Sequence, residues 1–453
     1  MPEKKNCIRL SFLDFKFLAL EDVFTAMTNF VTCRFKTRQD VEEIRKAVRY
    51  LLTLYPRLRS IVEPTFFSHR LRILDDNDRW LEVLFNDSFR VRYGLTCDSE
   101  EFLEYRRALL NESFSLEQGL PIKVRYLPDD PNPVLYLSIH HIVCDGMSLI
   151  HILNSLLSYL NGENPPMVPL DDPSLLPAIA WKPYKTLLKQ VVRSFRLCRE
   201  DERKRSGVTI NPSIHPEVFF GPVDMHQQIL SIGYDDIKTT SKKLRCNYTV
   251  LVLAALSIAI IRKPGRKQGR VVRINHGVNM RPYYDGKPPV FGNYAEVVPL
   301  VVDCKYEREP VQLINEIKDQ LKHVTHRLKN KELLFPFLGE KLLSMLGKKY
   351  YTMFIRWAKP KRLGLLNMSF AFTSGGIGDN LNSHGTKAQV CEALSIVPQH
   401  GLFITMSIID KRVNINISFP EAEFTRSEIV GFTRSFEYEL GEIIKCEKNT
   451  NKS

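Results

Sequence analysis

The chain has 453 residues, 44% of them hydrophobic, with nine cysteines and a formal net charge of +13. That length suits two or three domains and a core large enough to need no metal or disulfide staple. The cysteines form no C-x-x-C pair, so neither a zinc knuckle nor a disulfide framework is expected, and a reducing, cytoplasmic setting is. No nucleic-acid-reading module accounts for the charge. No signal-peptide apolar core follows Met1-Pro2-Glu3-Lys4-Lys5-Asn6, and the longest apolar stretch, residues 248–261, is too short to span a bilayer.

In chain order, the first part alternates helices and strands. Residues 41–52 place apolar side chains at helical spacing, residues 71–74 and 123–126 read as strands, and residues 102–114 as a helix. Residues 134–139 are β-branched, aromatic and apolar and read as a buried strand, and residues 148–160 return to helical spacing. Pro165, Pro166, Pro169, Pro173 and Pro177 then break both kinds of element. The expected division is a first subdomain over 1–162, a linker with a basic helix over 163–214, and a second subdomain over 215–453. In that second part, strands are expected over 227–232, 271–278, 297–302 and 367–372, and helices over 248–261 and 310–327. A hairpin is expected over 403–409 and 412–419 with Asp410-Lys411 at its turn, and Thr425-x-x-Glu428 caps a final helix.

The sharpest feature is His140-His141-Ile142-Val143-Cys144-Asp145-Gly146, lying between the strand over 134–139 and the helix over 148–160. Four fixed positions of this kind arise by chance in about one such chain per thousand. A side chain at a strand end is held by the sheet yet reaches a cleft, which suits a catalytic base. Asp145 and Gly146 stand where a carboxylate can brace the turn. Cys144 reads as packing, and no further cluster of His, Cys or Glu completes a metal site with His140, His141 and Asp145.

This motif resembles the active-site string of the chloramphenicol-acetyltransferase-like acyltransferases. Arg9-Leu10-Ser11-Phe12-Leu13-Asp14 with Phe17-Leu18 resembles the opening of the wax ester synthase/diacylglycerol acyltransferase branch. Tyr55-Pro56-Arg57-Leu58-Arg59 is similar to a segment shared by that branch and the condensation domains, and Asn279-Met280-Arg281-Pro282 with Phe291-Gly292-Asn293-Tyr294 to one in the C-terminal half. The resemblance implies an α/β fold of two such subdomains, each a mixed sheet with flanking helices, and an active-site channel between them. It also implies His141 as general base, His140 as its support, and Asp145 paired with Arg281 to hold the loop beside Gly146. Asn293 and Ser374 are the positional candidates for oxyanion or substrate binding. Asn247-Tyr248, the stretch Ala371-Phe372-Thr373-Ser374-Gly375-Gly376 and the lack of a D-F-G-W-G string depart from individual branches of the family.

Two basic stretches bear on partners. Lys182, Lys185, Lys189, Arg193, Arg196 and Arg199 face Tyr184, Leu187, Leu188, Val191, Val192 and Phe195 across one helix with no acid between. Residues 333–366 mix aromatic and aliphatic side chains with lysine and arginine in the same way. The first reads either as an interfacial helix on anionic membrane or as a solvated inter-domain helix packed on the core, and the second as a membrane-facing or acyl-chain-binding hairpin or as a partly buried helix pair. A third run, residues 263–273, reads as a phosphate contact for coenzyme A or phosphopantetheine, or as an exposed loop.

The activity expected is acyl transfer from a thioester, acyl-CoA first, to the hydroxyl of a small-molecule or lipid alcohol. No metal or redox cofactor is expected; the thioester is a co-substrate. One alternative is a stand-alone condensation enzyme drawing on an acyl carrier protein, and another is a non-catalytic scaffold binding membrane or a partner. Nucleic acid is not an expected partner.

Overall fold

The strands of the first half fall into two sheets. In the computed structural model, which describes residues 6–24, 27–65, 68–97, 99–181, 186–204, 206–213, 221–263, 269–304, 309–398 and 401–449, a three-stranded sheet comes first. It joins β1 (Cys7–Arg9), β3 (Ser60–Pro64) and β4 (His69–Ile73) in the order β1-β4-β3. The main N-terminal sheet has β2 (Thr28–Phe35), β5 (Phe89–Val91), β6 (Ile122–Leu127) and β7 (Val134–His140). Every residue of β7 is buried, because it is a central strand covered on both faces.

The C-terminal sheet takes β8 (Val223–Ile229), β9 (Val271–Asn279), β10 (Ala295–Asp303), β11 (Phe370–Ile377), β13 (Phe403–Ile409) and β14 (Arg412–Pro420) in the order β10-β9-β11-β13-β14-β8. The sheet is mixed: β11 runs parallel to β9 and β13, and the other pairs are antiparallel. Asp410 and Lys411 both take positive φ, 49° and 62°, at the two-residue turn joining β13 and β14, as a hairpin matched to strand twist requires. The strand β12 (Val390–Ile396) crosses the expected division: it leaves the second half and pairs with β2, giving the N-terminal sheet the order β12-β2-β7-β6-β5.

The first-half helices are α1 (Phe12–Leu20), α2 (Val41–Leu54), α3 (Arg79–Ser88), α4 (Glu100–Leu110) and α5 (Gly146–Leu160). Then come α6 (Leu176–Ile179), α7 (Leu187–Lys204), α8 (Tyr234–Lys243), α9 (Tyr248–Ile261), α10 (Pro310–Lys329), α11 (Leu334–Met345), α12 (Lys348–Ala358) and α13 (Arg426–Asn449). Thr249 to Ile260 of α9 are all buried, between α10 and α13 in the core of the second half. Among the described residues no single helix is long and apolar enough to cross a membrane; α8 and α9 pass only as a pair bent by 98°.

The expected elements recur with shifted ends. The helix expected over 102–114 is capped by Ser99 and stops at Leu110, and the strand expected over 227–232 ends at Ile229. The basic helix expected from residue 182 runs over Leu187–Lys204, with residues 182–185 outside the described ones. Its buried positions are Gln190 and Ser194, held to the Ile179 carbonyl and the Phe335 amide, whereas Leu188, Val192 and Phe195 are exposed.

Candidate active site

The strand β7 ends by delivering two histidines in opposite directions, as period-two backbone demands. His140 turns into the first half, where its Nε2 lies 3.2 Å from Glu21 Oε2 and its Nδ1 accepts from the Ile142 amide at 3.1 Å. Burial pushes the Glu21 carboxyl up, but the hydrogen bond and electrostatic attraction of His140 outweigh this and hold it below the usual carboxylate range. His140, expected to support His141, thus makes its side-chain hydrogen bonds to Glu21 and the Ile142 amide.

His141 faces the second half. Its Nδ1 lies 3.0 Å from Asn293 Oδ1, and the ring stacks on Phe17 of α1 with centroids 3.6 Å apart and planes 8° off parallel. Asn293 Nδ2 donates to Asp14 Oδ1 at 2.7 Å and to the His141 carbonyl, and Asp14 is in turn paired with Arg57 at 2.9 Å. With both amide protons directed at acceptors, Asn293 presents its oxygen to the ring, so Nδ1 carries the proton and the Nε2 lone pair is free. Asn293 therefore cannot be the oxyanion donor that position alone suggests; its donors are committed elsewhere. Burial lowers the His141 pKa to about 4, against smaller upward effects of its own carbonyl, Asp145 and Asn293, so the imidazole stays neutral.

A second network closes the turn. Arg281 Nη1 and Nη2 meet Asp145 Oδ2 and Oδ1 at 2.8 and 3.1 Å, the forked geometry of a charge-assisted pair. Asp145 also caps α5 through the Ser148 amide at 2.9 Å and accepts from the Tyr294 amide at 2.8 Å. Burial raises the Asp145 carboxyl, but Arg281 and these amides prevail and hold it below the ordinary range. The Ser148 hydroxyl bonds the Gly292 carbonyl and amide, both at 3.0 Å, and accepts from Arg281. Gly292 has φ +144, and a Cβ there would lie 2.4 Å from Arg57 Nη1, so glycine is required. At Gly146, by contrast, a Cβ would meet nothing within 4 Å and φ is not positive, so the fold itself makes no demand for the glycine assigned to structural support.

Ser374, on β11, bonds the Tyr248 hydroxyl at 3.1 Å, at the start of α9. Burial pushes the Cys144 thiol far up, away from nucleophilic character. Beside the seam lies a cavity of about 710 Å³ between α9, α10 and β9. Its wall holds Arg245, Lys318, Lys322 and Lys329, no carboxylate, and Asn279, whose Oδ1 accepts from the Arg281 amide at 3.1 Å.

No protein-family model matches the chain. It is 26% identical over 309 residues to Bacitracin synthase 1 of Bacillus licheniformis, covering 64% of this chain and 6% of that protein. It is 21% identical over 434 residues to a plipastatin synthase polypeptide of Bacillus subtilis (strain 168), covering 86% and 16%. The chain thus spans a small fraction of the length of either relative. Among solved structures, the trichothecene 15-O-acetyltransferase TRI3 from Fusarium sporotrichioides superposes with a TM-score of 0.68 at 12% identity, over 96% of this chain and 94% of that one. The first condensation domain of the CDA synthetase superposes at 0.67 and 12% identity, over 98% and 97%. The chain therefore shares the fold of that acetyltransferase and of that condensation domain. Within that two-lobed fold, His141–Asn293 and Asp145–Arg281 tie the N-terminal sheet to the C-terminal one. Asp14, Phe17, Arg57, Ser148 and Gly292 complete the site. Four of these lie in segments that drew the resemblance, but spacing carries no hint of their roles.

Proposed function

We propose that this chain is an acyltransferase of condensation type, moving an acyl group from the sulfur of a phosphopantetheine thioester to an amine or hydroxyl. His141 Nε2 takes the acceptor proton as the nucleophile attacks the thioester carbonyl. The C–S bond then breaks, and the thiolate leaves as a thiol with the proton returned by the imidazolium. The observation that carries this reading is the Asn293 amide on Nδ1, which fixes the tautomer a general base needs. Asp145 and Arg281 act as positioning residues, and Ser374 is a candidate for contact with the developing oxyanion. Open space over Gly146 leaves room for the thioester arm.

The likeness to synthases and a condensation domain favours a carrier-protein donor over the acyl-CoA donor expected from sequence. A coenzyme A donor with a hydroxyl acceptor is the second reading, supported by the cation-lined cavity, which suits a phosphorylated ligand, and by the fold shared with an O-acetyltransferase. Thiol release from acyl-CoAs and from acyl-phosphopantetheinyl carrier protein, each with amine and alcohol acceptors, decides between them. Acceptor-dependent release from the carrier alone supports the first reading, and release from free coenzyme A thioesters supports the second. Release from neither, with folded protein, contradicts both.

A further inference from the structure

The helices α7, α11 and α12 form an outer face rich in uncovered apolar side chains. Leu188 is 75% exposed, Met345 70%, Leu346 61%, Tyr350 60%, Met353 57% and Trp357 52%. Surface helices normally turn such side chains inward, so their outward placement on three neighbouring helices marks a recognition surface. The helices are contiguous: α11 packs against both α7 and α12, and Phe195 meets Phe335 ring to edge at 4.8 Å.

The charge on this face is predominantly positive, with Glu200 the acid that joins Leu188, Lys189, Val192, Arg193 and Arg196 along one groove of α7. Lys189, Arg196 and Arg199 on α7 and Lys349, Arg356 and Lys361 near α12 are exposed among the apolar tips, and Lys361 Nζ sits 4.2 Å over the Trp357 ring. From residue 333 to 366 the only acid is Glu340, which is turned inward onto Lys16 at 3.1 Å. On α7, acids enter only from Glu200 onward.

We infer that this face binds the surface of an anionic lipid bilayer. Apolar tips and the rings of Tyr350 and Trp357 suit the boundary between headgroups and acyl chains. Long basic side chains reach past them to lipid phosphates. A folded acidic partner would satisfy the cations but would leave protruding tips such as Leu188 and Met345 without a matching hydrophobic phase. The helix α1, which carries Asp14 and Phe17 of the active site, packs directly beneath α11 and α12, so the bound bilayer would lie one helix away from His141.

The test is co-sedimentation of the full chain with vesicles of phosphatidylcholine alone or with about 30 mol% phosphatidylglycerol, at about 0.1 M and about 0.5 M salt. The wild type is expected to pellet with the anionic vesicles, less so at high salt. A charge variant (Arg196→Glu, Lys349→Glu, Lys361→Glu) and an apolar variant (Leu188→Ser, Leu346→Ser, Trp357→Ser) should each bind at least about tenfold more weakly. Both change exposed positions, and unaltered circular dichroism and melting temperature would show them folded. No pelleting with either vesicle, or variants that pellet like wild type, would overturn the inference. So would a dimer in light scattering that the apolar variant dissociates, or capture of an acidic carrier protein through these residues without vesicle binding. Because His141→Ala should bind vesicles as wild type does, the result is independent of the proposed reaction.

Discussion

The seam around His141 and the outer face of α7, α11 and α12 use similar residue types to opposite ends. In the seam, Asp14 meets Arg57 and Asp145 meets Arg281 out of contact with water, and the aromatic Phe17 is spent on one imidazole. On the outer face, arginine, lysine, tyrosine and tryptophan stand exposed side by side. A buried charge must be paired and hydrogen-bonded or it destabilises the fold, whereas an exposed one is free to choose a partner. Burial and the fixed Asn293 amide hold the His141 imidazole in one tautomer. Exposure leaves the second available for recognition.

The largest effect expected is on turnover. His141→Ala should slow acyl transfer by about 10²–10⁴-fold while leaving the melting temperature within a few degrees, measured by thiol release. Next is the seam's structural charge pair. Arg281→Ala or Asp145→Ala should each cost about 3–5 kcal/mol in urea unfolding, because each leaves a buried ion alone, and the double variant should lose less than the sum.

Asn293→Ala tests the tautomer more finely. It should lower kcat on the order of tenfold to a thousandfold and alter the pH–rate profile, since Nδ1 loses its fixed acceptor. A purely structural role would leave the profile unmoved. The pH dependence itself separates this buried imidazole from an ordinary one. With a pKa of about 4 instead of 6.5, His141 should keep kcat/KM level from pH 8 down to about 5. Stability has the opposite trend. Between pH 6.5 and about 4 the unfolded chain binds a proton that the folded site refuses, so stability falls as pH drops. The loss from His141 should be on the order of 2 kcal/mol at pH 5, and His141→Asn should make the slope of urea midpoint against pH shallower. Smallest of all, single substitutions on the outer face such as Leu346→Ser should shift stability by no more than about 0.5 kcal/mol.

The motif and its strand–turn–helix setting are legible in the sequence because each rests on local periodicity. The Asp145–Arg281 pair, 136 residues apart, is reachable only through family resemblance. Asn293 misleads because an amide offers a donor and an acceptor at equal cost, and the choice is made by Asp14, 279 positions away. Likewise β12 has an ordinary strand composition, and nothing local states that it completes the other half's sheet. Helical spacing in α7 groups Leu188, Val192 and Phe195 on one side, but whether that side is covered depends on where α11 lies.

The proposed reaction depends on His141 Nε2 as the general base for acyl transfer from a thioester. A single-turnover assay with a preloaded acyl thioester donor and excess acceptor, comparing wild type with His141→Ala by thiol release and product mass, addresses it directly. Acceptor-dependent transfer by the wild type and a loss of at least about 10²-fold in the folded variant is the predicted result. Equal rates in the two proteins would contradict it.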